Sequence, residues 1–210
     1  MKILFINAVK KIDLNNSNYK NLERAIPSRI FIFYSIQHKE LADKIKTKLE
    51  KDGKVVAGFE QVLGCVNKVP DEVILFIGEG NFHSNSILLK SKKQVFLFNG
   101  EVTLEINKEE KENMLKEEKV KLIKFLHSLN IGVLVSIKPG QYNLKTSLKF
   151  MDKLQGMFKG KKFYLFLADT IESENFDNFS IESWVNTACP GVGLYNKHVL
   201  NYPDLTKMKF

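Results

Sequence analysis

Arg29-Ile30-Phe31-Ile32-Phe33-Tyr34-Ser35-Ile36 is the stretch that decides the fold of this chain. After its first residue the run is apolar on both strand faces, the mark of a strand buried on two sides, as in a parallel sheet. The period then changes. Between His38 and Lys51 the apolar residues Leu41, Ile45 and Leu49 recur at the spacing of one helix face. Gly53 stops that helix. Lys54 to Gly58 reads as a second strand, Glu72 to Ile77 as a third and Gln94 to Phe98 as a fourth. Strands alternating with helices predict an α/β fold whose sheet is mostly parallel and flanked by helices.

The pattern then restarts. Asn107 to Leu129 reads as a long charged helix with Met114, Leu115, Leu122, Ile123, Leu126 and Leu129 on its apolar side. Ile131 to Ile137 reads as a buried strand and Tyr142 to Phe158 as a helix stopped by Gly160. Lys162 to Ala168 and Ser183 to Thr187 read as further strands. One order therefore occurs twice: strand, polar turn, helix, Lys-Gly stop, strand, cysteine loop. It runs from Ser35-Ile36-Gln37 to Leu63-Gly64-Cys65, and from Ser136-Ile137-Lys138-Pro139-Gly140-Gln141 to Thr187-Ala188-Cys189. This degenerate repeat predicts two similar α/β domains, 27–103 and 104–210, meeting near Phe98 to Lys108. It also sets Cys65 and Cys189 at equivalent ends of equivalent strands. Residues 1–26 fit neither repeat. Met1 to Val9 reads as a strand, Asn15-Asn16-Ser17-Asn18 as a turn and Tyr19 to Ala25 as a short helix, so the segment reads as the remnant of a preceding domain.

Composition narrows the class. With 210 residues, 44% hydrophobic and 27% charged, the chain has ordinary globular proportions and room for one large or two small domains. No apolar run approaches the roughly 20 residues of a membrane-spanning helix, and the apolar opening is too short for a signal peptide. A cytoplasmic protein with no membrane partner is expected, where cysteines are thiols or metal ligands rather than disulfides. The net charge is +8. Its lysines are spread along helices, with Lys108 to Lys121 read as a solvated face, and there is no basic arm and no RNA or DNA motif. Direct nucleic-acid binding is not expected, whereas an acidic protein partner suits the charge.

Cys65, in Gln61-Val62-Leu63-Gly64-Cys65, and Cys189, in Val185-Asn186-Thr187-Ala188-Cys189-Pro190, are the only two cysteines. They read either as small buried hydrophobes or as thiolate donors to one shared metal site, suited to zinc or to an iron–sulfur cluster. Neither has a second cysteine close by, which excludes a zinc ribbon. Gly78-Glu79-Gly80-Asn81-Phe82-His83 follows a strand and precedes a short helix. Its glycines let a ligand approach the backbone and the helix start favours an anionic group; a plain tight turn is the alternative. His83 reads as a ligand, a proton donor or an ordinary loop histidine. Gln37-His38 and Gly140-Gln141 lie at corresponding strand ends, placed to touch a ligand at the sheet's carboxyl edge or simply to cap helices. Trp184 and the sixteen phenylalanines read as core, and His127 and His198 have no informative context. There is no Walker loop and no Ser-His-Asp arrangement.

Taken in order, Tyr34-Ser35-Ile36-Gln37-His38, Gln61 to Cys65, Phe76-Ile77-Gly78 to His83, Lys138 to Gln141, Val185 to Pro190 and Val199-Leu200-Asn201-Tyr202-Pro203-Asp204-Leu205 resemble the archaeal and eukaryotic diphthamide-synthesis enzymes, the 2-(3-amino-3-carboxypropyl)histidine synthases. The resemblance implies a protein of three similar α/β domains, each giving one cysteine to a 4Fe–4S cluster. The cluster binds S-adenosylmethionine and, once reduced, cleaves it to a 3-amino-3-carboxypropyl radical. That radical adds to an imidazole carbon of one histidine in elongation factor 2. Cys65 matches the second-domain ligand and Cys189 the third-domain ligand. Gln37, His38, Gly78, Gly80, His83, Gly140 and Gln141 lie in the motifs expected near S-adenosylmethionine.

Two departures from the family pattern stand out. The first domain and its cysteine are not represented, and residues 1–26 resemble only its end. Gly191 stands where the family commonly has Arg after Cys-Pro. The expectation is a transferase component whose missing domain comes from a separate chain, or from a homo- or hetero-dimer. The alternative is an inactive relative that binds a partner or supports electron delivery. In the first case Cys65 and Cys189 face one cavity, with sulfurs roughly 6–8 Å apart for iron–sulfur bonds of about 2.3 Å.

Overall fold

The structure, a computed structural model, describes residues 8–62, 68–138, 144–194 and 196–206. The chain divides into two compact units, Met1–Glu112 and Asn113–Phe210. Each is an α/β unit with a mostly parallel sheet flanked by helices.

In the first unit, helix α1 (Asn16–Ala25) starts where the Asn15 side chain accepts the Ser17 N–H at 2.8 Å, which satisfies one orphan donor of the first turn. Strand β1 (Arg29–Tyr34) is followed by a 3₁₀ turn at Ile36–His38 and helix α2 (Lys39–Lys51). Gly53, at φ 84°, ends α2 in the left-handed conformation that a side chain would resist. The chain returns as β2 (Val55–Gln61), then β3 (Ile74–Ile77), α3 (Asn81–Lys90) and β4 (Val95–Phe98). A short strand not expected from the sequence, β5 (Thr103–Glu105), pairs antiparallel with β4. The sheet order is β2-β1-β3-β4-β5. Ile30, Ile32 and Tyr34 pack on one face with Leu41, Ile45 and Leu49 of α2 and with Tyr19 and Leu22 of α1. Segment 1–26 thus contributes buried side chains to this unit's core; its expected strand lies largely outside the described residues, and Ala8 and Val9 form no strand.

Helix α4 (Lys108–His127) carries the division between the units, after Glu112. The second unit continues with β6 (Asn130–Ser136), α5 (Leu144–Met157), β7 (Lys162–Ala168), a 3₁₀ segment at Ser173–Asn178, β8 (Ser183–Asn186), α6 (Gly191–Leu194), β9 (Val199–Asn201) and α7 (Tyr202–Thr206). Its sheet is parallel throughout, in the order β7-β6-β8-β9. One face packs Ile131, Val133, Phe163 and Val185 against Phe125 of α4 and Phe150 and Leu154 of α5. On the other, Trp184 stacks on Phe176 at 4.5 Å and meets Phe166 edge-on at 4.7 Å.

Two expectations are corrected here. The packed line of α4 keeps only Met114 and Leu122 of the predicted apolar side: Phe125 and Lys121 are buried and Leu122 packs on the core, while Leu115, Ile123, Leu126 and, just past the helix, Leu129 are exposed. Lys121, expected in a solvated face, is 4% exposed. The line through Met114, Glu118, Lys121, Leu122 and Phe125 has helical spacing too, and it is the one that places Phe125 in the core of the second unit. Nor are the two cysteines on equivalent strands. β1 reaches β2 through α2 and pairs with β3 on its other side; β6 reaches β7 through α5 and pairs with β8 on its other side. β2 therefore corresponds to β7, and β3 to β8. Cys65 follows β2 in sequence, whereas Cys189 follows β8. The counterpart of the Cys189 loop is the Gly78-Glu79-Gly80 turn after β3.

Among the described residues, no helix is long and apolar enough to cross a membrane.

Candidate cofactor site at the carboxyl ends of the sheets

In the first unit, the ends of β1 and β3 bring several predicted residues together. The 3₁₀ turn after β1 buries His38 to 1% exposure and leaves Gln37 exposed. His38 Nδ1 lies 2.8 Å from Ser35 Oγ. Its Nε2 is buried without a hydrogen-bond partner in the structure, 3.7 Å from Glu79 Oε1. Burial pushes the His38 pKa below its ordinary value, although the nearby Glu79 carboxylate acts the other way. The imidazole is therefore neutral at physiological pH, and its approach to Glu79 is not an ion pair.

Glu79 is held from outside. Lys10 Nζ donates to its Oε1 at 2.5 Å, and the Lys10 N–H donates to the Gln37 carbonyl at 2.8 Å. The Lys10 hydrogen bond is the main reason that the Glu79 carboxyl stays below the usual carboxylate range. Gly78 donates its N–H to the Phe98 carbonyl at 3.0 Å, and a Cβ there would lie 2.5 Å from the Phe76 ring and 3.2 Å from Ser35 Oγ. Gly80 caps α3 at φ 81° with no side chain, so the first-turn N–H groups of α3 have no capping side chain from it. His83 sits one turn along, its ring 6.0 Å from that of Phe76. Ser35, Glu79 and Lys10 are members of this cluster that sequence reasoning left without a role. Ser35 carried a readable signal, a hydroxyl three residues before a histidine across a tight turn; Lys10 carried none.

In the second unit, Cys189 is a free thiol of intermediate exposure on the loop between β8 and α6. The loop is held on both sides of the cysteine. The Thr187 N–H and Oγ1 both donate to the Leu134 carbonyl, at 3.0 and 2.8 Å. The Val192 and Gly193 N–H groups donate to the Cys189 and Pro190 carbonyls, at 3.0 and 3.1 Å. Lys121 Nζ reaches in from α4 to the Gly193 carbonyl at 2.7 Å and to Glu118 Oε1 at 2.6 Å. A half-exposed thiol on a braced loop fits the donor chemistry of a cluster ligand, which must be reachable and fixed in direction.

Cys65, Gly140 and Gln141 lie outside the described residues. Among the described residues, no three His, Cys, Asp or Glu side chains converge as a metal site. A cleft of about 310 Å³ on the Trp184 side of the second sheet, lined by Leu134, Phe166, Phe176 and Phe179, contains none of the predicted site residues.

The family model described as "Putative diphthamide synthesis protein" matches residues 1–208. A 2-(3-amino-3-carboxypropyl)histidine synthase of Pyrococcus horikoshii is 27% identical over 213 residues, covering 96% of this chain and 60% of that protein. The enzyme of the same name from Methanocaldococcus jannaschii is 25% identical, covering 100% of this chain and 61% of that protein. Subunit 1 of the synthase from Debaryomyces hansenii is 23% identical over 98% of this chain and 53% of its own length. The crystal structure of Dph2 from Pyrococcus horikoshii superposes with a TM-score of 0.80 at 24% identity, covering 96% of this chain and 65% of that one. The Pyrococcus horikoshii Dph2 structure with a 4Fe-4S cluster gives 0.77 at 26% identity, covering 92% and 62%. The chain thus spans about 60% of the length of the archaeal relatives it matches. By the near-complete family match and the shared two-sheet architecture, the chain belongs to the diphthamide synthesis protein family.

Proposed function

We propose that this chain is a component of the 3-amino-3-carboxypropyl transferase that begins diphthamide synthesis on a histidine of elongation factor 2. Its domains are the two α/β units, read from the sequence as 27–103 and 104–210, with the helix of residues 16–25 packed into the core of the first. Cys65 and Cys189 hold a 4Fe–4S cluster together with a third thiolate from a separate chain or a dimer partner. When bound, that cluster supplies the electron that cleaves S-adenosylmethionine. Gln37, His38, Gly78, Gly80, His83, Gly140 and Gln141 bind and orient S-adenosylmethionine. The single observation that supports the reading is the half-exposed Cys189 thiol on its braced loop, in a chain of this family. Around it, the chain's own residues have definite tasks. Neutral His38, fixed by Ser35, presents Nε2 as a polar contact that charges only in acid. The open first turn of α3 receives a carboxylate, and Gly80, with nothing within 4 Å of where a Cβ would stand, lets it come close, while Gly78 keeps the turn packed on Phe76 and Ser35. The positive net charge speeds encounter with an acidic protein substrate and weakens in salt.

The test is anaerobic iron–sulfur reconstitution of the chain alone and with a polypeptide carrying the first domain, followed by transfer from labelled S-adenosylmethionine to elongation factor 2. The chain alone holds iron poorly, since two thiolates forgo part of the coordination free energy; the partner restores iron and transfer; Cys65→Ala and Cys189→Ala remove both. A full cluster and full transfer with the chain alone would refute the shared-site reading. Gly191 after Cys189-Pro190 favours one second reading, an inactive relative acting as a binding or electron-transfer-supporting subunit. That reading takes over if no partner restores transfer and both cysteine variants behave as wild type.

A further inference from the structure

Asn186 ends β8 and Asn201 ends β9, and the two are register partners in the parallel pair. Both are buried, at 1% and 5% exposure. Asn186 Nδ2 donates to Asn201 Oδ1 at 2.9 Å and to the Cys189 carbonyl at 2.8 Å. Asn186 Oδ1 accepts the Ala188 N–H at 2.9 Å. Asn201 Nδ2 donates to the Pro190 carbonyl at 3.0 Å. One linked amide pair therefore grips a backbone group immediately before Cys189, its own carbonyl and the carbonyl immediately after it. A Cβ at Gly193 would lie 2.5 Å from the Asn201 amide, so the loop closes over the pair only with glycine there. Pairing β8 with β9 requires none of this. Two apolar side chains would join the strands without desolvating two amides. What the amides add is direction: they fix the peptide planes from which the Cys189 side chain leaves.

We infer that Asn186 and Asn201 are positioning residues for Cys189, a buried amide clamp that holds its thiol in one orientation before any ligand arrives. The inference rests on reading Cys189 as a ligand, because only a ligand needs that orientation. In such sites the groups that orient the donors matter nearly as much as the donors.

The clamp has a readout that needs no cluster. In the full chain, labelling of Cys189 by iodoacetamide is followed by peptide mass spectrometry, with the fluorescence of Trp184, the only tryptophan, reporting the stability of the second unit. Asn186→Ala and Asn201→Ala each accelerate Cys189 labelling roughly tenfold, the population change from losing the side-chain amide hydrogen bonds to the loop. Val133→Ala, in the core of the same unit and remote from the loop in sequence, lowers stability without that acceleration. Equal acceleration in all three, or none in the Asn variants, overturns the clamp.

Should the Asn variants not fold, native-state hydrogen exchange of the unaltered chain decides. The Ala188 amide is protected by Asn186 Oδ1, and exchange at the rate of an open loop overturns the inference. The cluster reading fails separately: if labelling responds as stated while Cys189→Ala leaves iron binding in the partner-supplemented assembly unchanged, the clamp stands and the ligand assignment falls.

Discussion

Replacing Lys121 by methionine tests the placement of α4 most directly. Methionine keeps most of the buried stem, so the change chiefly removes the ammonium. That ammonium makes two hydrogen bonds, to the Gly193 carbonyl at 2.7 Å and to Glu118 at 2.6 Å. Leaving the Gly193 carbonyl unpaired costs about 1–3 kcal/mol. Glu118 loses its cationic partner in a site where burial already raises its pKa; by taking up a proton or water it limits its own penalty to about 1 kcal/mol. The sum is about 2–4 kcal/mol. Had Lys121 stood in the solvated face that the charge pattern suggests, the same change would cost nothing measurable, within about 0.5 kcal/mol. The companion variant is Ile123→Gln, expected to be equally neutral because Ile123 is 55% exposed; a core position there would cost about 2–5 kcal/mol. Urea unfolding followed by Trp184 fluorescence isolates the second unit, which matters because two units need not unfold as one. A neutral Lys121→Met together with a damaging Ile123→Gln would refute the observed helix face. The double variant Lys121→Met with Glu118→Leu should recover only the Glu118 share, about 1 kcal/mol, because an apolar pair leaves no stranded carboxyl but the Gly193 carbonyl stays unpaired.

Two further expectations concern the sheets. Burial depresses the His38 pKa in the folded state, so the unfolded chain binds the extra proton first as pH falls. The His38-linked stability is complete above the unfolded value near 6.5 and declines below it, toward the depressed folded value. His38→Gln should therefore flatten the loss of thermal stability between neutral and mildly acidic pH; an unchanged profile would show that His38 is not the titrating group. Gly132→Ala places a methyl 2.3 Å from the Trp184 ring and should destabilise the second unit by about 2–3 kcal/mol with a shifted Trp184 emission. A silent substitution would mean the ring does not pack over β6.

Local patterns carried the elements, because a helix face and a buried strand are written in spacings of a few residues. The apolar run from Ile30 to Tyr34, the Leu41, Ile45 and Leu49 spacing, and the Gly53 stop gave β1, α2 and its end. The ordered motifs gave the family. Three things were decided only in three dimensions. Which strands are neighbours depends on pairing between distant segments, so local pattern marked the longer strands, missed the three-residue β5 and β9, and wrongly matched the strand before Cys65 with the one before Cys189. The packed face of α4 was misjudged because two helical spacings share Met114 and Leu122, and the one that buries Phe125 in the core also buries Lys121. The partners of the site residues were equally remote in sequence. Lys10 meets Glu79 and Asn186 meets Asn201 only after the sheets have formed. Their hydrogen bonds are short-range interactions between residues that no local period connects, so tertiary structure alone could bring them together.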